Sequence, residues 1–145
     1  MSLNKRRAVL VLSSLLLTFV VLRLYLHLFP NTNFDVGIYN IHHLFMGLLL
    51  VTFGGLPLIL FEGNSRKLDL ASIAFGVGLS MALDEWVYLI VTDGSDSSYL
   101  LPISFWGGVV MLSLALGYAL TMVIVAHRRE RANHSPQPDA ENPRN

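Results

Sequence analysis

The chain has no cysteine. That excludes disulfides, thiolate-bound metals, iron–sulfur clusters and a cysteine nucleophile, and leaves the redox compartment open. Charge is also scarce. Only 14% of residues are Asp, Glu, Lys or Arg, against about 25% in an ordinary soluble domain. The 10 basic and 10 acidic residues cancel, so no net field points to nucleic acid as a partner. Several chemical signatures are missing as well. There is no HExxH and no Glu-x-x-His, so neither a zincin nor a ferritin-like di-iron bundle is indicated. No serine–histidine–acid pattern stands out, although Ser97, Ser98 and Ser104 fall near the end of one apolar run. No internal repeat or second domain is visible.

What the chain does have is long apolar runs. Four are of membrane-crossing length: 8–29, 38–61, 68–91 and 102–126. A helix needs roughly 20 apolar residues to cross the hydrocarbon core. Strands of a β-barrel would be about 10 residues long and alternating. A backbone in lipid must satisfy its own hydrogen bonds, so each run reads as a helix. The expected fold is all-α, a four-transmembrane-helix bundle over residues 1–131. Residues 132–145 are polar and proline-rich, and are expected to form a disordered tail.

Orientation follows from the basic residues. "NKRR" precedes the first run, "NSRK" joins the second and third, and "HRRER" follows the fourth. The other two connections contain no Lys or Arg and carry Asp35, Asp93 and Asp96. With four spans, every basic block falls on one side, which places both termini in the cytoplasm. The start also resembles a signal peptide. Its length, the presence of Arg23 and the lack of a small-x-small cleavage site favour an uncleaved first span.

The third run holds two adjacent acids, Asp84 and Glu85, about seven residues before its outer end. At 1.5 Å per residue they lie roughly 10 Å below the boundary. Arg23 falls at a similar depth in the first run, with His27 one turn nearer the surface. His42 and His43 are placed within the first two turns of the second run. These ionisable groups share one layer of the outer leaflet. Each costs about 2.5–3.5 kcal/mol to insert, so they should converge inside the bundle. The helical faces agree. Ser72, Gly76, Ser80 and Tyr88 share the face of Asp84, while Ala74, Gly78 and Ala82 lie below Glu85. His43 shares a face with Gly47 and nearly with Gly54. Small residues permit close helix approach in membranes. Val87 is placed nearer the lipid, and Trp86 and Trp106 fit an outer interfacial belt.

Two readings of the layer stand side by side. Arg23 pairs with an acid, the histidines donate hydrogen bonds, Tyr88 supports Asp84, and the cluster is a salt-bridge network. Alternatively His42, His43, Asp84 and Glu85 hold a divalent transition metal, since imidazole and carboxylate are the usual ligands of zinc, iron or manganese. Haem between two of His27, His42 and His43 fits less well, because these histidines share one leaflet. A proton path lacks a polar continuation towards the cytoplasmic side. The lone His27 also reads as an interfacial residue.

"YNIHHLFMG" at Tyr39–Gly47 and "FGVGLSMALDEWVYLI" at Phe75–Ile90 resemble a family of small bacterial integral membrane proteins. These share a paired-histidine span followed by a glycine-containing span that ends in Asp-Glu. The resemblance covers the middle third of the chain and implies matching positions at His42, His43, Gly47, Gly76, Gly78, Asp84 and Glu85. It implies a bacterial cell membrane and brings no reaction. The expected partners are the lipid bilayer and either a membrane protein or a second copy of the chain.

Overall fold

The computed structural model describes residues 4–29, 35–36, 39–40 and 42–133; the side chains of 35, 36, 39, 40, 96, 97 and 133 fall outside that description, as do residues 134–145 of the tail expected over 132–145, whose first two residues, 132 and 133, are helical. Among the described residues five helices carry the fold. They are α1 (Lys5–Leu28), α2 (His43–Leu60), α3 (Arg66–Val91), the single-turn α4 (Asp96–Tyr99) and α5 (Pro102–Asn133). Between α1 and α2, β1 (Asp35–Val36) pairs antiparallel with β2 (Tyr39–Asn40). All but α4 are long and apolar enough to cross a membrane.

Local chemistry sets most helix ends. The Asn4 side chain accepts from the Arg7 N–H at 3.1 Å, capping α1. Ser65 caps α3 in the same way through the Leu68 N–H at 3.3 Å, with Asp69 in the first turn. Gly63, at φ 93°, supplies the left-handed residue in the short α2–α3 connection. Two ends differ from the sequence expectation. α2 begins at His43 rather than near residue 38, because Tyr39 and Asn40 are extended and paired with β1. α5 continues to Asn133 rather than stopping near 126. Its 32 residues reach about 48 Å, well past a core of about 30 Å, so the helix carries its basic end clear of the hydrocarbon.

α3 is the hub, packed on α2, α1 and α5. Glycines set the approach. A Cβ on Gly47 would lie 2.6 Å from the Gly78 carbonyl oxygen, and one on Gly78 would lie 2.5 Å from the Gly47 oxygen. Gly54 meets the α3 backbone at Phe75 and Ala71 in the same way. On the other side of α3, Gly76 faces Val11 and Ser14 of α1. Val87 was expected near lipid but packs on α5, where a Cβ on Gly107 would sit 2.5 Å from it. Its direction follows from α5 crossing α3 at that turn, which periodicity along α3 alone does not reveal. Outside these seams the helices present bare apolar side chains, as a bilayer requires: Ile59, Ile90 and Tyr118 are each at least 70% exposed.

Two of the three basic ends come together. The Asn4 amide donates to Asn64 at 3.0 Å, Arg7 donates to the Gly63 carbonyl, and Arg6 meets Asp69 at 2.6 Å. The N-terminus of α1 therefore sits beside the α2–α3 connection, at the end opposite the acidic layer.

Candidate functional site: a buried ionic layer

Asp84 and Glu85 are 1% and 2% exposed, on the innermost helix. Because adjacent helical residues point about 100° apart, they face different neighbours. Asp84 turns towards α1 and α5. Its Oδ1 accepts from Arg23 Nε at 2.7 Å and lies 2.6 Å from Arg23 Nη2. Its Oδ2 accepts from the Tyr99 hydroxyl and lies 3.4 Å from His43 Nε2. Gly108 leaves room for this pair: a Cβ there would be 2.6 Å from Asp84 Oδ1 and 3.1 Å from Arg23 Nη2.

Arg23 is held from several sides. Nη2 donates to the Ser104 carbonyl at 3.0 Å. Nη1 makes only long contacts, 3.4 Å to the Tyr99 carbonyl and 3.4 Å to Ser104 Oγ. The guanidinium carbon lies 4.3 Å from the Tyr99 ring centre, with the rings of Phe19 and Phe105 farther off at 5.8 and 5.7 Å. Such faces attract a cation while excluding water.

Glu85 turns towards α2. Its Oε2 accepts the Leu44 backbone N–H at 2.7 Å. That N–H belongs to the first turn of α2, whose N-cap His42 makes no side-chain capping bond. Glu85 thus caps α2 from a neighbouring helix, where the macrodipole favours negative charge. Its Oε1 lies 3.4 Å from His42 Nδ1 and 3.0 Å from His43 Nδ1. His43 therefore spans both carboxylates.

Tyrosines close the layer above. Tyr99, on α4, packs edge-on against His43 and Tyr88 with ring centres 5.5 and 5.3 Å apart. Burial, with Asp84 next in weight, pushes the Tyr99 phenol well above its ordinary range, so it stays a donor. Tyr88 was expected to support Asp84. Its hydroxyl donates to the Ser95 carbonyl at 2.9 Å, anchoring the turn that carries α4. That turn is held by Asp93 Oδ1, which accepts from the Ser95 N–H at 3.1 Å, Ser95 Oγ at 2.8 Å and Ser98 Oγ at 2.7 Å. The Ser98 and Ser95 hydroxyls lower its pKa from 3.8 to about 2.

The layer thus gathers Arg23, His42, His43, Asp84 and Glu85. His27 is exposed and lies outside it. Ser80 is fully buried one turn below Asp84, and its hydroxyl has no hydrogen-bond partner among the described residues. Tyr99 was missed at the sequence level, and Ser104 was noted there only as a serine, not as a partner of Arg23. Both come from the connection after α3 and the start of α5, and only a chain that folds back over Asp84 brings them in. Among the described residues no group of three His, Asp or Glu side chains is arranged so that it could hold a metal ion. Asp84 explains part of this: each of its oxygens already has a cationic or hydroxyl partner.

No protein-family model, no curated protein and no solved structure matches the chain. Fold and site define its class by themselves: a multi-pass membrane protein with a buried His/Asp/Glu/Arg salt-bridge cluster.

Proposed function

We propose that the chain is a non-enzymatic membrane protein whose ionic layer locks four helices into one register and so shapes the surface it offers to a membrane partner. The single observation behind this is the saturation of the two carboxylates by groups of the chain itself. Arg23 offsets Asp84, and the second negative charge, on Glu85, rests on the N-terminus of α2. The negative charge of Glu85 is thereby met by backbone. The basic blocks support a topology with both termini cytoplasmic, and the resemblance noted above supports a bacterial inner membrane. The metal reading has one observation in its favour, the approach of both His42 Nδ1 and His43 Nδ1 to Glu85 Oε1 at 3.4 and 3.0 Å.

One experiment separates the two. Protein purified in mild detergent is assayed for metal content, and the unfolding of Arg23→Met, Asp84→Leu and the double variant is compared. Breaking a buried pair costs about 3–5 kcal/mol, and replacing both members with apolar groups returns most of it. The structural reading expects each single variant to be strongly destabilised, the double to recover, and no stoichiometric metal. A stoichiometric metal, lost from His42→Ala and Glu85→Ala, would replace it with the metal reading.

A further inference from the structure

α1 and α5 both pack on α3 and meet each other around Arg23, Phe19 and Phe105. Beside that contact they leave a cleft of about 530 Å³. That volume is within the range of ligand pockets, about 300–1,000 Å³. Its walls are hydrocarbon, with Val20 and Leu24 of α1 facing Leu100 and Phe105. Walls of this kind do not hold water, and a cleft among membrane-spanning helices is filled by what surrounds them.

The polar side chains that line the cleft are Arg23, His27 and Tyr99, and none is an acid. Asp84 and Glu85 stay behind the guanidinium at 1% and 2% exposure and do not line it. His27 follows Arg23 by four residues, so the two stand on one face about 6 Å apart along the axis. His27 makes no hydrogen bond or ion pair with any described residue, and it is exposed. The two contacts of Arg23 Nη1, both at 3.4 Å, exceed the usual N–H···O range of about 2.7–3.2 Å. The cleft therefore pairs an acyl-sized apolar trough with under-committed N–H donors at its surface end. We propose that it binds one anionic phospholipid of the adjacent leaflet, with an acyl chain between α1 and α5 and the phosphate between His27 and Arg23. Charge complementarity selects this occupant, since a phosphate accepts strong charge-assisted bonds from such donors.

The test is native mass spectrometry of the full chain released from non-ionic detergent, with dioleoyl phosphatidylglycerol and dioleoyl phosphatidylcholine each titrated separately. The expected result is one tightly held phosphatidylglycerol and weaker retention of phosphatidylcholine. His27→Ala, an exposed position that leaves the bundle intact, should weaken phosphatidylglycerol at least about tenfold, the loss of one charge-assisted bond, and leave phosphatidylcholine unchanged. Leu100→Trp, which fills the trough from a half-exposed position, should weaken both lipids. Equal retention of the two lipids, or phosphatidylglycerol binding untouched by both variants, would overturn the proposal. Displacement of the lipid by millimolar inorganic phosphate would overturn the role of the acyl trough.

Discussion

Gly47 and Gly78 are the most sensitive test of how α2 and α3 pack. The perturbation is one methyl group, Gly78→Ala. Its Cβ would sit 2.5 Å from the Gly47 oxygen and 2.7 Å from the Val51 nitrogen, both backbone atoms that have no rotamer to change. Restoring ordinary contact at 3.4 Å requires the helices to part by about 0.9 Å. Overpacking of this kind costs about 1–3 kcal/mol. The displacement also reaches the site. The Leu44 N–H to Glu85 bond, now 2.7 Å, would stretch towards about 3.6 Å and cease to be one. A buried carboxylate losing that donor adds about 1–3 kcal/mol. The expected total is about 2–6 kcal/mol. Gly47→Ala should match it, since the contact is reciprocal. The double variant should cost far less than the sum, because a single separation accommodates both methyls. Unfolding by a denaturing detergent in mixed micelles, followed through helix content, measures all three. Gly117→Ala is the control: nothing lies within 4 Å of a Cβ there, so the variant should be neutral or slightly stabilised. If Gly78→Ala unfolds with Gly117→Ala, or if the two alanines add in full, the packing argument is wrong.

Two further expectations concern groups at the edge of the layer. Ser80→Ala removes a buried hydroxyl that has no partner, so it should be neutral or stabilise by about 1 kcal/mol; a loss above that in the same unfolding assay would mean that Ser80 holds something polar. Asp93 has its pKa lowered from 3.8 to about 2, so its hold on the α4 turn is fully present above 3.8 and is lost as pH falls through about 2. A carboxyl resonance of Asp93 titrating near its ordinary value in a labelled sample would show that the bonds from Ser95 and Ser98 do not form.

Along the helix axis, much was legible beforehand. Apolar run length located all four long helices, because crossing hydrocarbon demands a continuous apolar stretch whatever the partner. Depth counting brought Arg23, His43, Asp84 and Glu85 to one level, because rise per residue is a property of the helix alone. Rotation about the axis was less legible. The small-residue stripes marked faces of α3 for packing, but did not say that Gly78 would meet α2 and Gly76 α1, nor that Val87 would meet α5 rather than lipid. Nor did they place Tyr99 on Asp84 or the Leu44 N–H on Glu85. One donor arrives through the path of a connection. The other is backbone, which every residue carries and no residue type signals. The sequence by itself determined that charges must meet at this depth, since lipid offers them no solvent. The tertiary structure decided what they meet, because a carboxylate takes whichever donor the neighbouring helix brings within about 3 Å.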